Sequence, residues 1–190
     1  MRIVHLYRSD MYMELVSGGP TKPEIAALAL FKLNISHGDV FADIGSGTAY
    51  ISIMAARIVK CVYAVDSRYK AISAAQKNIR NANINNIKLI RGEAPAILDE
   101  LPLLDCAFIG GTRNIESVLQ ALVNKVNGRI VVNVVRIQTA STVINIMQDL
   151  GIFVDAVLVQ VSNSYELAGE IAFKPINPVY IITGDTKGDK

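Results

Sequence analysis

Tryptophan is absent from this chain, cysteine and histidine occur twice each, and the formal net charge is only +2, so several classes of protein fall away at once. Cys61 and Cys106 both sit inside apolar runs, where a thiol behaves as a small hydrophobe, and neither belongs to a metal-ligand spacing or a Cys-x-x-Cys pair. His5 and His37 are far apart and make no zinc site, so no protein-bound metal is expected. No stripe of Lys and Arg would track phosphates, which argues against nucleic acid as a partner. No apolar run reaches the roughly 18 residues of a membrane span, and the N-terminus mixes Arg2, Arg8, Asp10 and Glu14 among its apolar residues, unlike a secretory signal. A cytoplasmic protein with no membrane partner is expected. What the chain does have is aliphatic bulk: 51% of its residues are hydrophobic and only 6% aromatic, as in an α/β core of Ile, Val, Leu and Ala. Its 190 residues suit one domain spanning 1–190, with an irregular start over 1–20 and a frayed tail over 185–190.

The most informative segment is Val40-Phe41-Ala42-Asp43-Ile44-Gly45-Ser46-Gly47-Thr48-Ala49. An apolar run ends in an acid placed two residues before a Gly-x-Gly turn. Such a turn lets backbone approach a ligand, and a helix starting after it offers free N–H groups to an anion. Dinucleotide folds place a third glycine where this chain has Tyr50. The turn therefore suits S-adenosylmethionine: its carboxylate meets the N–H donors of Gly45, Ser46, Gly47, Thr48 and Ala49, and Asp43 answers its ammonium group directly or through water. One strand–helix–strand unit further on, Cys61-Val62-Tyr63-Ala64-Val65 ends in Asp66, a carboxylate able to accept both ribose hydroxyls. The alternative is that Asp66 caps the next helix, with Ser67 competing.

Periodicity gives the rest of the frame. Helices are expected over 21–33, where Thr21 caps and Glu24 completes a capping box, and over 49–58, 69–81, 96–101, 115–126 and 139–150. Strands are expected at 40–44, 61–65, 87–91, 104–109, 129–134, 153–161 and 179–183. The last two are separated by a mixed stretch without a helix and should pair antiparallel at one edge of a sheet that is otherwise parallel. This seven-stranded, Rossmann-like α/β arrangement resembles, at the level of topology, that of class I S-adenosylmethionine-dependent methyltransferases.

In such sheets ligands bind outside the carboxyl ends of the strands. Gly92-Glu93-Ala94-Pro95 follows the third strand and places Glu93 and Ala94 at the adenine, although Glu93 could instead be a helix-opening acid. Gly110 and Gly111 follow the fourth strand and let its backbone pass close to a substrate. The Asn/Asp-Pro-Pro-Tyr/Phe motif of adenine and cytosine N-methyltransferases is absent there. Arg113 and Arg136, after strands four and five, could reach substrate carboxylates or simply be solvated.

Ser17-Gly18-Gly19-Pro20-Thr21-Lys22-Pro23-Glu24, the glycine loop, Gly92-Glu93-Ala94-Pro95, Phe108-Ile109-Gly110-Gly111 and Asn177-Pro178-Val179 together resemble the decarboxylating cobalt-precorrin C15-methyltransferases of cobalamin biosynthesis. The resemblance covers about residues 17 to 184. It implies S-adenosylmethionine contacts at Thr21, Gly45 to Ala49, Asp66 and Ala94, and a homotetramer. It also implies methylation at C15 of cobalt-precorrin-6B and loss of carbon dioxide from the ring C acetate, with methylation at C5 left to a separate partner enzyme. An acceptor rich in carboxylates would be held by scattered cations such as Lys22, Arg113 and Arg136; no particular residue is singled out for the chemistry itself. The chain departs from the family pattern at Ala49, where glycine is more usual, at Glu93, where Asp is common, and at Thr112-Arg113-Asn114 and Ser162-Asn163-Ser164. Protein isoaspartyl methyltransferases share a loop like Asp43 to Tyr50 and form the main alternative; an NAD oxidoreductase and a non-enzymatic scaffold are the others.

Overall fold

A computed structural model describes residues 13–16, 19, 21–111 and 113–188. The segment containing Arg2, His5, Arg8 and Asp10, together with Ser17, Gly18, Pro20 and Thr112, lies outside the described residues.

Helices and strands alternate through most of the chain: α1 (Pro23–Leu33), β1 (Val40–Ile44), α2 (Tyr50–Ala56), β2 (Cys61–Asp66), α3 (Tyr69–Asn81), β3 (Ile87–Arg91), α4 (Ala94–Glu100), β4 (Cys106–Ile109), α5 (Ile115–Val123), β5 (Arg129–Val134) and α6 (Ile137–Asp149). Four strands follow without a helix: β6 (Phe153–Val159), β7 (Ser162–Leu167), β8 (Glu170–Pro175) and β9 (Val179–Asp185). Seven of the nine strands among the described residues form one sheet in the order β3-β2-β1-β4-β5-β9-β6. The pairs among β1 to β5 are parallel, and β9 runs antiparallel to both β5 and β6. The antiparallel pairing of the two last-expected strands is thus as read from the sequence, with β9 inserted between β5 and β6.

The central strands are apolar on both faces because helices cover both. Ala42, Ile44, Ala107, Ile109, Ile130 and Val132 bury one face under α4, α5 and α6; Phe41, Val62, Phe108, Val131 and Ile181 bury the other under α1 and α2. Cys106 is buried in this core and Cys61 is half-buried.

Four local expectations need correction. Thr21 does not cap α1: the N-cap is Lys22, which makes no side-chain capping bond, and Pro23 supplies the preset φ of the first turn. Ala49 lies before α2 rather than in it, in the left-handed region at φ 63°. The stretch 162–178, read as mixed, holds the antiparallel hairpin β7–β8, which pairs Ser162 with Pro175 through Leu167 with Glu170. Its exposed residues lacked the apolar alternation that reveals a half-buried strand. The start of the expected frayed tail is tied down: Asp185 donates its N–H to the Ile152 carbonyl, and the Thr186 hydroxyl donates to the Val126 carbonyl at 2.7 Å.

Candidate active site

Strand order reverses between β1, whose chain continues outward to β2 and β3, and β4, whose chain continues the other way to β5. The loops leaving β1 and β4 must therefore part, and they open a cleft at the carboxyl ends of the strands. A cavity of about 670 Å³ occupies it, bounded by Thr21 and Lys22, by Asp43, by Gly45 to Thr48, by Phe108, Gly110 and Gly111, by Asn133 and Val135, and by Pro175 to Asn177. A smaller hollow of about 100 Å³ adjoins it and is lined by Asp66, Gly92, Glu93, Ala94, Gly111 and Arg113.

Glycine is required where the two loops cross. Gly45 has φ +76°, and a Cβ there would stand 2.7 Å from the Gly111 nitrogen and 3.0 Å from its Cα, so backbone would have to move. Gly45 and Ser46 both donate their N–H to the Val65 carbonyl, and Gly110 donates to the Ile44 carbonyl. The rim is thereby fastened across β2, β1 and β4.

Asp43 is buried, 1% exposed, and its Oδ2 accepts from the Ser52 N–H at 3.1 Å and the Ser52 hydroxyl at 2.5 Å. It thus serves as the N-terminal cap of α2 from the neighbouring strand. Its other oxygen is buried without a hydrogen-bond partner. Burial raises the carboxyl from 3.8 to about 7, against the lowering effect of the Ser52 bonds and with a small further rise from the Asp66 charge.

Asp66 is differently held. Its Oδ2 accepts from Gly47 N–H and Arg68 Nη2, and its Oδ1 accepts from Arg68 N–H and Nε, all at 2.9–3.0 Å. Burial alone would raise this carboxyl, but the bonds from Arg68 and Gly47 together hold it below the usual carboxylate range.

The sequence-expected residues divide between the two spaces. Thr21, Lys22, Asp43, Gly45, Ser46, Gly47, Thr48, Gly110 and Gly111 line the large cavity, and Asp66, Glu93, Ala94 and Arg113 line the hollow, with Gly45 and Gly111 common to both. Arg113 Nη1 lies 3.5 Å from Glu93 Oε1, both side chains being mostly exposed. Ala49 and Arg136 are not among the residues lining either space; Ala49 is fully buried and Arg136 is the exposed N-cap of α6.

Residues not singled out beforehand also meet here. Asn133, on β5, lines the large cavity with both side-chain polar atoms buried and unpaired. An amide interrupting the run Ile130-Val131-Val132-Asn133-Val134 at the ligand end of a core strand was the available signal. Ser46 Oγ is likewise buried without a partner. Buried polar atoms left unpaired are costly, and finding them on one cavity wall points to a ligand that pairs with them. Asn78, buried in α3, donates to the carbonyls of Thr48 and Glu14 and accepts from the Glu14 N–H, tying segment 13–16 to the glycine loop.

Comparison with known proteins bears on this geometry. Residues 15–184 match the family model described as "Precorrin methyltransferase domain". The chain belongs to that family. A relative from Methanosarcina mazei, named probable cobalt-precorrin-6B C(15)-methyltransferase (decarboxylating), is 49% identical over 174 residues, covering 89% of this chain and 95% of that one. A relative of the same name from Halobacterium salinarum is 38% identical, covering 90% and 91%. Among solved structures, the precorrin 8W decarboxylase of Methanobacterium thermoautotrophicum superposes with a TM-score of 0.88 at 27% identity, over 92% of this chain and 97% of that one. The precorrin-6y C5,15-methyltransferase of Geobacter metallireducens does so with 0.88 at 30% identity, over 93% and 96%. A S-adenosylmethionine-dependent O-methyltransferase from Thermotoga maritima, 14% identical with a TM-score of 0.73, shares the fold. The precorrin methyltransferase domain thus carries its cavity at the strand ends where the sequence motifs converge, and the chain is a methyltransferase.

Proposed function

We propose that this chain, as one methyltransferase domain, methylates C15 of cobalt-precorrin-6B from S-adenosylmethionine and promotes loss of carbon dioxide from the ring C acetate. The observation that carries the reading is the large cavity whose wall combines the glycine loop with buried, unpaired polar atoms of Asp43, Ser46 and Asn133. The residues fit the donor. Asp66 would take the ribose, the hollow at Glu93 and Ala94 the adenine, and Asp43 Oδ1 and the glycine loop the amino-acid end. Bound there, S-adenosylmethionine supplies an electrophilic methyl group.

The chain's own contribution is positioning. Phe108, Gly110 and Gly111 line the wall against which a macrocycle would be held, and Asn133 can donate to and accept from its polar edge. Lys22 lies on the cavity wall, placed to meet carboxylates; Arg113 would join it from the hollow, and Arg136 only from outside both spaces. In this reading cobalt enters as part of the acceptor.

Assembly belongs to the same reading. The hairpin β7–β8 exposes Tyr165, Leu167, Ile171 and Phe173, an apolar surface that a homotetramer would cover. No helix among the described residues is long and apolar enough to cross a membrane, and the reading places the enzyme in the cytoplasm. Methylation at C5 is assigned to a separate enzyme. Incubation with cobalt-precorrin-6B and S-adenosylmethionine should give a product that has gained one methyl group and lost carbon dioxide, read by mass spectrometry. Methylation of an isoaspartyl peptide with the tetrapyrrole untouched would overturn the assignment.

A further inference from the structure

Three neighbouring strands, β1, β4 and β5, run up to the large cavity, and on the face packed by α1 and α2 they finish differently. Asp43 on β1 lies beside Phe108 on β4, and Phe108 lies beside Val131 on β5. Residues two apart along a strand share a face, so the next positions are Gly45, Gly110 and Asn133. All three line the cavity, and two of them bear no side chain. β1 and β4 have ended by then, whereas β5 continues to Val134 and fixes the backbone of Asn133 in the sheet. Asn133 stands opposite Ile181 of β9, which like Val131 is fully buried. Its Oδ1 and Nδ2 are both buried without a hydrogen-bond partner. Charge lies elsewhere: among the described residues lining the cavity the cationic ones are Lys22, at the N-cap of α1, and Arg68, bonded to Asp66.

We propose that Asn133 holds the acetate carboxylate that is lost, as a neutral contact that orients it for departure. The proposal rests on the reading of donor and acceptor given above. An acceptor carbon that meets the donor at the glycine loop brings the ring C acetate, on the same edge of the macrocycle as C15, within reach of the next strand, which is β5. A carboxylate that leaves as carbon dioxide gives its charge to the ring. A cation beside it would stabilise the starting carboxylate more than the transition state, whereas a neutral amide among apolar side chains orients it without that penalty. Nδ2 donates to the carboxylate. The bond between the acetate methylene and the carboxylate carbon breaks, its electron pair passes into the conjugated ring, and carbon dioxide leaves. The methylene then takes a proton from a water held by Oδ1 and becomes a methyl group. At C15 a bond forms to the donor's methyl as that methyl's bond to sulfur breaks, the sulfonium becomes a thioether, and C15 gives up its hydrogen as a proton. One proton is thus taken up and one released.

The full chain with cobalt-precorrin-6B and saturating S-adenosylmethionine provides the test, with carbon dioxide release and methyl gain followed separately by mass spectrometry. Asn133→Leu, close to the amide in size, should lower kcat for carbon dioxide release about thirtyfold or more, with KM for the tetrapyrrole raised by less than about threefold. Its affinity for S-adenosylhomocysteine should stay within about twofold of the wild type, since the donor is assigned to other residues. Because a buried amide without partners costs stability, the same variant should also show a higher urea midpoint, which separates a role in the reaction from a role in the fold. Asn133→Asp sets one carboxylate against another and should raise KM about tenfold or more. Asn133→Gln, which keeps the amide on a longer stem, should recover part of the rate lost in Asn133→Leu. Carbon dioxide release at the wild-type rate by Asn133→Leu would overturn the proposal. So would a loss of S-adenosylhomocysteine affinity in proportion to activity, which would assign Asn133 to the donor, or a lower urea midpoint, which would mean that the amide was already paired. If the wild type leaves the tetrapyrrole untouched, the reading of the acceptor falls and the proposal with it, a result distinct from a variant that turns over as well as an active wild type.

Discussion

The carboxyl ends of β1 and β2 lie side by side in the sheet, and each carries an acid, yet the two acids are held in opposite ways. Asp66 has every acceptor position filled and is kept ionised by Arg68 and Gly47. Asp43 has one oxygen capping α2 and the other buried with nothing to accept from, and burial pushes it up to about 7. The difference follows from depth: β1 is central and its end is roofed by α2, whereas β2 ends beneath the half-exposed side chain of Arg68. Satisfied groups hold a structure together; a buried group left half-satisfied costs stability and is retained where a ligand completes it. On that argument Asp66 is already completed by its own loop, and Asp43 is the acid left with an empty oxygen.

The comparison breaks most severely at Asp66. Asp66→Ala removes the acceptor assigned to the ribose and strands the Gly47 N–H. Loss of two charge-assisted hydrogen bonds at about 2 kcal/mol each should weaken S-adenosylhomocysteine binding roughly a thousandfold. Calorimetry would read it, and a loss below tenfold would move the ribose elsewhere.

Asp43 should respond in stability as well as in binding. Its carboxyl binds the proton more tightly in the folded chain than in the unfolded one. The ionised acid is therefore a cost that is fully present above about pH 7 and shrinks as the pH falls toward 4, below which the unfolded chain takes up the proton as well. Asp43→Asn, which keeps an acceptor for Ser52, should raise the free energy of unfolding at about pH 8 by on the order of 3 kcal/mol and flatten its rise on mild acidification. Urea denaturation at several pH values would show it. A variant less stable than the wild type at high pH would mean that the capping bonds outweigh the burial.

Donor binding should carry the same signature with a smaller amplitude. If the donor's ammonium pairs with Asp43, it favours the ionised carboxyl, so affinity should fall by up to about tenfold for each pH unit below 7. Asp66 gives no such slope in that range, because its carboxyl is held low. In Asp43→Asn the slope should disappear. A slope that survives the substitution would assign the pH dependence to another group.

Much of this contrast could be read before the fold was seen, and the part that could not has a physical reason. Asp43, Gly45, Gly47 and Asp66 are local signals: strand, turn and helix follow one another within a few residues, so their convergence needs only the rule that ligands gather at strand ends. The strand spans Val40–Ile44, Ile87–Arg91 and Arg129–Val134 were legible for the same reason, being short apolar runs between turn residues. Asn133 and Asn78 were not, because their roles depend on what lies across the cavity or beneath the loop, 85 and 30 residues from Thr48 in the chain. The hairpin β7–β8 was missed because it covers no core: with neither face buried, nothing selects alternating residues. Arg68 was missed because a single arginine after Asp66 and Ser67 looks like the start of a helix, which it also is.

The smallest test concerns the backbone that joins the two acids. Gly45 and Gly47 have positive φ as glycines do without strain, but Ala49 adopts φ 63° with a Cβ. The left-handed region costs a non-glycine residue roughly 1 kcal/mol, offset in part because alanine also restricts the unfolded chain and its methyl group is fully buried. Ala49→Gly should therefore raise stability by only about 0.5 kcal/mol, seen as a higher urea midpoint at unchanged slope. The effect on Asp43 distinguishes more than the size of the gain. Ala49 donates its N–H to the Ser46 carbonyl and accepts from the Ile53 N–H, so it sets the start of the helix whose Ser52 is held by Asp43. If that register is fixed by the Asp43–Ser52 bonds, the glycine variant should keep the pH dependence of donor binding unchanged. If instead the alanine methyl group holds the helix in place, the loop should loosen, and the pH dependence should weaken although the protein has become no less stable.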